Sequence, residues 1–176
     1  MTINQSRWLM VVAAVVALAA GAWVARTMLF APSAAGQSAA ALIGVTLPDA
    51  DGKDQPLAQW SGKVLVVNFW ATWCAPCREE MPMFVRLQRE RGPNGLQFVG
   101  IAVDQADKVR KFAGEIVLNY PPLIGAYGAM DLSKTLGNSL MALPFTVIVD
   151  RSGRVAHTQL GPLKEEQLAA IVQQLL

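Results

Sequence analysis

Residues 64–77 read Val64-Leu65-Val66-Val67-Asn68-Phe69-Trp70-Ala71-Thr72-Trp73-Cys74-Ala75-Pro76-Cys77. The first seven are β-branched, aromatic or otherwise apolar apart from Asn68, which is typical of a strand buried on both faces. A helix is predicted from about Pro76 to Arg91. Cys74 therefore lies where the strand gives way to the helix, and Cys77 lies one turn inside the helix.

This placement predicts different chemistry for the two thiols. Unpaired backbone N–H groups and the helix dipole stabilise a thiolate at Cys74, which lowers its pKa. Cys77 is more enclosed, so it stays a thiol and closes on Cys74 after the first attack. We expect a redox-active disulfide between Cys74 and Cys77, and no metal or further cofactor.

Other uses of the two cysteines fit the sequence less well. A zinc site needs four ligands, whereas the chain has two cysteines and a single histidine, His157. Attachment of haem needs a histidine directly after the second cysteine, where Arg78 stands. A purely structural disulfide stabilises little across so short a loop. That structural alternative stays open.

The rest of the chain alternates between strand and helix patterns. A turn at 49–53 predicts an N-terminal hairpin, and Gly153 marks the turn of a second one. No element is assigned near Pro121. The remaining predictions are strands at 96–103, 146–150 and 155–160 and helices at 108–117, 131–136 and 164–175. This order predicts an α/β fold, a mixed sheet with helices on both faces.

Composition divides the chain into three parts. From Trp8 to Ala25 every one of 18 residues is apolar or glycine, between Arg7 and Arg26, which is long enough for a transmembrane helix. We assign 1–30 to an N-terminal signal anchor, 31–41 to a flexible linker and 42–176 to the folded domain. A cleaved signal remains the alternative. The net charge of +2 without a basic run argues against a nucleic-acid partner.

Three stretches of this domain resemble the TlpA-like membrane-anchored thioredoxins, a family that includes cytochrome c maturation reductases. They are Asn68 to Pro82, Val99 to Asp104, and Leu143 to Asp150 with Gly153 following. The resemblance covers residue 42 to the end. It implies a thioredoxin-like fold and a thiol-disulfide oxidoreductase.

The resemblance also implies a surface that meets the substrate. Pro144 corresponds to the family's cis-proline, which faces the cysteines, and Leu143 precedes it. Trp73, Ala75 and Pro76 surround the reactive sulfur in the sequence and complete this surface. The alternatives are an ordinary proline at a strand entry and a Trp73 that merely packs.

Helix periodicity selects Glu80 rather than Glu79 as a third catalytic candidate. Glu80 shares a helix face with Cys77, whereas Glu79 falls on another face. Partial burial raises the pKa of such a carboxyl and suits it to exchange protons with Cys77. Thioredoxin, which this chain resembles, has a buried acid where Asn68 stands. The alternative is a first-turn acid that only complements the helix dipole.

These features predict an extracytoplasmic enzyme on a single-pass anchor in the inner membrane, facing the periplasm or cell exterior. Expected partners are exported proteins with disulfides, for example apocytochrome c, and a membrane thiol electron donor. Pro76 resembles the reducing members of the superfamily, so reduction of clients is the expected direction. Oxidation or isomerisation of exported proteins, or a binding module without redox turnover, are the alternatives.

Overall fold

The computed structural model describes residues 8–13, 15–18, 21 and 38–176. The chain divides into two units, Met1–Ser33 and Ala34–Leu176. Within the first unit the described residues are helical. The rest of the predicted anchor at 1–30, and positions 31–37 of the predicted linker, lie outside the described residues. Where the chain is described, no helix combines the length and the hydropathy that crossing a membrane requires.

The second unit is built around a five-stranded mixed sheet in the order β5-β4-β3-β6-β7. β3 is central, and all seven of its residues are buried, as a strand covered on both faces requires. It pairs in parallel with β4 and antiparallel with β6. The strands are β3 (Val64–Trp70), β4 (Leu96–Ala102), β5 (Pro122–Ile124), β6 (Phe145–Val149) and β7 (Val155–Leu160).

Five helices and a small hairpin accompany this sheet. The hairpin, β1 (Thr46–Pro48) with β2 (Asp54–Pro56), is the predicted one. Short 3-10 turns follow at Leu57–Trp60 and Gly92–Asn94. The helices are α1 (Ala40–Ile43), α2 (Ala75–Arg91), α3 (Ala106–Glu115), α4 (Gly128–Thr135) and α5 (Glu165–Leu175).

Helices cover both faces of the sheet, as predicted. One buried cluster joins α2, α3 and α5 to the face of β3 that carries Val66 and Trp70. The other joins α1 and α4 to the opposite face, which carries Val67 and Phe69. The alternation of side chains along β3 thus supplies both cores.

The described structure differs from the prediction at the start of the domain. Residues 38–41 were placed in the linker, but Ser38 forms a bridge with Arg154, and the N–H of Ala39 donates to the carbonyl of Gly153 at 2.9 Å. Ala39 is fully buried and Ala40 begins α1. Small residues suit this close approach to the β6–β7 turn, and their composition alone resembles that of a linker.

Candidate active site

The two cysteines form a disulfide at the amino end of α2, with Cα atoms 5.3 Å apart. Cys74 is the N-cap residue, and its Sγ accepts a hydrogen bond from the backbone N–H of Cys77 at 3.3 Å. A serine or aspartate oxygen usually takes this acceptor position. The sulfur of Cys74 therefore occupies the place where a helix amino terminus favours negative charge.

The two sulfur-bearing side chains are unequally accessible. Cys74 retains 6% of its exposure, whereas Cys77 is fully buried. Cys74 is thus less open than the sequence predicted, although the order of the two residues agrees with the prediction. Of the two side chains, only that of Cys74 keeps any exposure to solvent.

Glu80 lies one turn beyond Cys77 on the buried side of α2. Its side chain is 5% exposed, whereas Glu79 is exposed, so the predicted helix face is confirmed. Oε1 accepts from Nδ2 of Asn68 at 2.8 Å, and Oε2 accepts from the backbone N–H of Leu163 at 3.1 Å. Asn68 also donates to Thr146 Oγ1 at 3.0 Å, so both of its amide hydrogens are used.

The environment of Glu80 moves its pKa strongly. Burial raises the pKa of Glu80 to about 7, and the hydrogen bonds from Leu163 and Asn68 oppose this rise without cancelling it. The charge of Glu80 also affects the buried Tyr120. Desolvation is the larger cause and the Glu80 charge the smaller cause that raise the pKa of the Tyr120 hydroxyl. At neutral pH Glu80 is therefore able both to hold and to release a proton.

A second carboxylate fixes the turn that leads into Cys74. Asp104 lies two residues after the end of β4 and accepts hydrogen bonds from the backbone N–H and the hydroxyl of Thr72 and from the N–H of Gln105. Burial acts to raise the pKa of Asp104, but these hydrogen bonds and the charge of Lys108 outweigh it and lower the pKa. Asp104 thus stays ionised and ties the end of β4 to the cysteine loop.

The segment before β6 contains the predicted cis bond, between Leu143 and Pro144. Leu143 packs against the buried cluster that contains Cys74 and Cys77. The preceding loop is held by Asn138, which donates to the carbonyl of Ala142 at 2.9 Å and accepts from its N–H at 3.1 Å. This loop therefore presents Leu143 and Pro144 in a fixed position.

The remaining predicted residues flank Cys74 along the chain. Trp73 is 69% exposed, so it does not serve as core packing. Ala75 is exposed and Pro76 is half-buried in the first turn of α2. The guanidinium of Arg78, an exposed residue, lies 5.0 Å from the centre of the Phe112 ring in a cation–π contact.

Sequence reasoning gave no role to Asp104, Thr146 or Leu163. Asp104 ends one of the stretches that carry the resemblance, and it directly follows the predicted strand at 96–103. A polar residue at the end of a buried strand is a signal that could have marked it as a site residue. Leu163 contributes only its backbone N–H, 83 residues from Glu80 in sequence, and no sequence signal marks it.

A thioredoxin fold that carries a Cys-X-X-Cys disulfide at the amino end of a helix defines a thiol-disulfide oxidoreductase. The chain belongs to the Redoxin family, whose pattern matches residues 31–175. The similar proteins are named accordingly. A thiol-disulfide oxidoreductase ResA of Bacillus thuringiensis is 32% identical over 121 residues, which cover 68% of each chain. The predicted resemblance is thereby confirmed.

Two further proteins are similar over most of the domain. The thioredoxin-like protein YneN of Bacillus subtilis is 32% identical over 127 residues, 70% of this chain and 71% of that one. A solved thiol:disulfide interchange protein of the thioredoxin family from Chlorobium tepidum superimposes with a TM-score of 0.69 at 30% identity. That superposition covers 74% of this chain and 92% of the other.

Proposed function

We propose that the protein reduces disulfides of exported client proteins, with Cys74 as the nucleophile, Cys77 as the resolving thiol and Glu80 as the proton carrier. The observation that carries this proposal is the unequal pair at the amino end of α2: Cys74 Sγ at the N-cap, and a fully buried Cys77 one turn from a carboxyl with a pKa of about 7. Apocytochrome c is the client class that the TlpA-like resemblance suggests.

The proposed reaction moves two electrons to the client in two exchanges. The Cys74 thiolate attacks one sulfur of the client disulfide, the client S–S bond breaks, and one client thiolate leaves. Glu80 then takes the proton of Cys77, and the Cys77 thiolate attacks Cys74 Sγ. The mixed disulfide breaks, the second client thiolate leaves and takes up a proton, and the Cys74–Cys77 disulfide forms. A membrane thiol donor restores the dithiol.

The client segment is proposed to lie across Trp73, Ala75, Pro76, Leu143 and Pro144. The exposed ring of Trp73 and the fixed loop that ends at Pro144 support this path. Within the described residues, no other backbone group bonds to the N–H or carbonyl of Leu143. An extended client strand pairs with such free groups.

The direction of electron flow is tested by the reduction potential of the dithiol. A helix terminus without an added cation at positions 75 or 76 stabilises the thiolate moderately, and a less stable thiolate means a more reducing couple. We expect a potential nearer about −270 mV than about −120 mV, measured by equilibration with glutathione. A potential near the upper value reverses the direction, making the protein an oxidant or isomerase.

The domain is proposed to act outside the cytoplasm, held to the membrane by residues 1–30. The apolar run from Trp8 to Ala25 and the presence of a redox dithiol without further cysteines support this location. A tether also keeps a reductant close to the membrane donor that must recharge it.

A further inference from the structure

A groove of about 350 Å³ opens beside the active-site disulfide. It lies where the parallel strands β3, β4 and β5 end, an edge of α/β sheets at which ligands commonly bind. Trp73 forms one wall and immediately precedes Cys74, so the groove begins one residue from the reactive sulfur. The lining residues are Trp73, Val103, Asp104, Gln105, Lys108, Ala126 and Tyr127.

Two aromatic side chains at this groove are largely exposed to solvent. Trp73 is 69% exposed and Tyr127 is 89% exposed. Ala126, the residue before Tyr127, adopts a φ of 45°, a left-handed conformation that is strained for a residue other than glycine. The chain thus holds a large apolar ring in solvent on a strained backbone. Rigid amphipathic rings in this setting are typical of surfaces that bind other chains.

The accessible charge at the groove is positive. The carboxylate side chain of Asp104 is 4% exposed, and its oxygens already accept from Thr72 and Gln105. Lys108 Nζ lies 3.8 Å from Asp104 Oδ1, beyond hydrogen-bond distance, and its side chain is 55% exposed. The ammonium N–H groups of Lys108 are therefore available to a partner, whereas the carboxylate of Asp104 is already hydrogen-bonded to the cysteine loop.

We infer that this groove binds the client segment next to the reactive cysteine, and that it selects a segment carrying an aromatic side chain followed by a carboxylate. The aromatic group lies between Trp73 and Tyr127, and the carboxylate meets the ammonium of Lys108. The inference rests on the proposed exchange with protein disulfides and adds a sequence preference to it. Charge complementarity and continuity with the disulfide both favour this occupant over others.

The test uses the reduced full-length protein in detergent and short capped peptides. Each peptide has one cysteine, held as a mixed disulfide with 2-mercaptoethanol, a phenylalanine two residues away, and Asp, Asn or Lys beside the phenylalanine. Two series place this pair before or after the cysteine. Lys108→Glu is compared with Lys63→Glu. Lys63 directly precedes the amino end of β3, away from the groove at its carboxyl end, so this control makes the same charge change outside the groove. The neutral 2-hydroxyethyl disulfide reports the exchange chemistry by itself.

In one of the two series the wild-type protein should reduce the Asp peptide about fivefold faster than the Lys peptide, the upper range for an exposed ion pair. Lys108→Glu should reverse this ratio, and Lys63→Glu should keep it. A further Asp peptide has alanine in place of the phenylalanine, and Tyr127→Ser should lower the rate advantage of the phenylalanine peptide over this alanine peptide by about fivefold. An unchanged Asp-to-Lys ratio in Lys108→Glu overturns the groove assignment.

The outcomes separate this inference from the proposed function. If neither the neutral disulfide nor any peptide is reduced, disulfide exchange itself fails. If all are reduced and the peptides react at equal rates, only the groove assignment is wrong. A concentration-dependent dimer that Tyr127→Ser abolishes assigns the groove to a second copy of the chain and also overturns the inference.

Discussion

Cys74 combines a structural position with a proposed chemical role, because the sulfur that caps α2 is also the one that attacks the partner disulfide in the proposed reaction. The N–H of Cys77 donates to it at 3.3 Å, and the first turn of the helix supplies the positive end of the dipole. Cys77 has neither this position nor any exposure. The reactivity of the pair therefore follows from where the strand ends and the helix begins.

In the reduced protein we expect iodoacetamide at neutral pH to alkylate Cys74 and to leave Cys77 unmodified, because the attacking species is an accessible thiolate. Mass mapping of the modified peptide measures the site. Cys77→Ser should accumulate mixed disulfides through Cys74, whereas Cys74→Ser should not. Preferential alkylation of Cys77 would contradict the assignment of the nucleophile.

The raised pKa of Glu80 makes the stability of the fold depend on pH with a defined sign. Its folded pKa of about 7 lies above its ordinary value of 4.5, so the folded state holds the proton more tightly than the unfolded state. The stability linked to this group is fully present below pH 4.5 and is lost as the pH rises through 7. A shift of this size corresponds to about 3 kcal/mol.

Glu80→Gln should therefore remove a decline of up to about 3 kcal/mol in the free energy of unfolding between pH 4.5 and 7. It should also slow the resolution of mixed disulfides by about tenfold or more, because Cys77 loses its base. Urea unfolding across this pH range and stopped-flow exchange measure the two effects. Glu79→Gln is the control at an exposed position. Equal effects of the two substitutions would show that Glu80 only complements the helix dipole.

At the scale of elements, the end of β3 depends on a close approach between two strands. Gly100 on β4 lies against the indole of Trp70, such that an added Cβ would lie 2.8 Å from Nε1. The same position faces the ring of Tyr120 at 3.5 Å. Absence of a side chain at Gly100 leaves room for the large Trp70, which belongs to the buried cluster that also contains Cys74 and Cys77.

Gly100→Ala should accordingly destabilise the domain by about 1–3 kcal/mol, the usual cost of overpacking a core. Gly114→Ala is the matched control, because no atom lies within 4 Å of its added Cβ and the position is helical. That control should stabilise by about 0.5–1 kcal/mol. Urea denaturation measures the free energy of unfolding of both variants. Similar values for the two would show that the contact between Gly100 and Trp70 does not restrict the side chain at position 100.

The elements that the sequence predicted well are those with their own periodicity. The strands β3 and β4 and the helices α2 and α5 agree with the structure within one or two residues. β5 was missed because its three residues become a strand only by pairing with β4. Glu80 was found from helix spacing, whereas its partner Leu163 required the folded chain. The cis bond at Pro144 came from the resemblance and not from local propensity.

Across the domain, the chemistry collects at one edge of the sheet. The carboxyl ends of β3 and β4 supply Cys74 and Asp104, and antiparallel β6 begins at this same edge directly after Pro144. Two separate cores hold the sheet from its two faces. This edge therefore brings together Cys74, the loop that ends at Pro144 and the aromatic groove.

The proposed task of the amino-terminal residues is export, and this proposal leads to a prediction for the whole chain. Eighteen apolar residues between Arg7 and Arg26 are long enough to span a bilayer, and the positive amino terminus favours a cytoplasmic start. An alkaline phosphatase fused after Leu176 should therefore be active in a bacterial host, since that enzyme needs disulfides that form outside the cytoplasm. Deleting residues 8–25 should abolish its activity while leaving the fusion expressed. An inactive phosphatase fusion beside an active cytoplasmic reporter at the same site would place the dithiol in the cytoplasm. The reducing thiol pool there already serves client proteins, so the argument for a tethered reductant would fail with it.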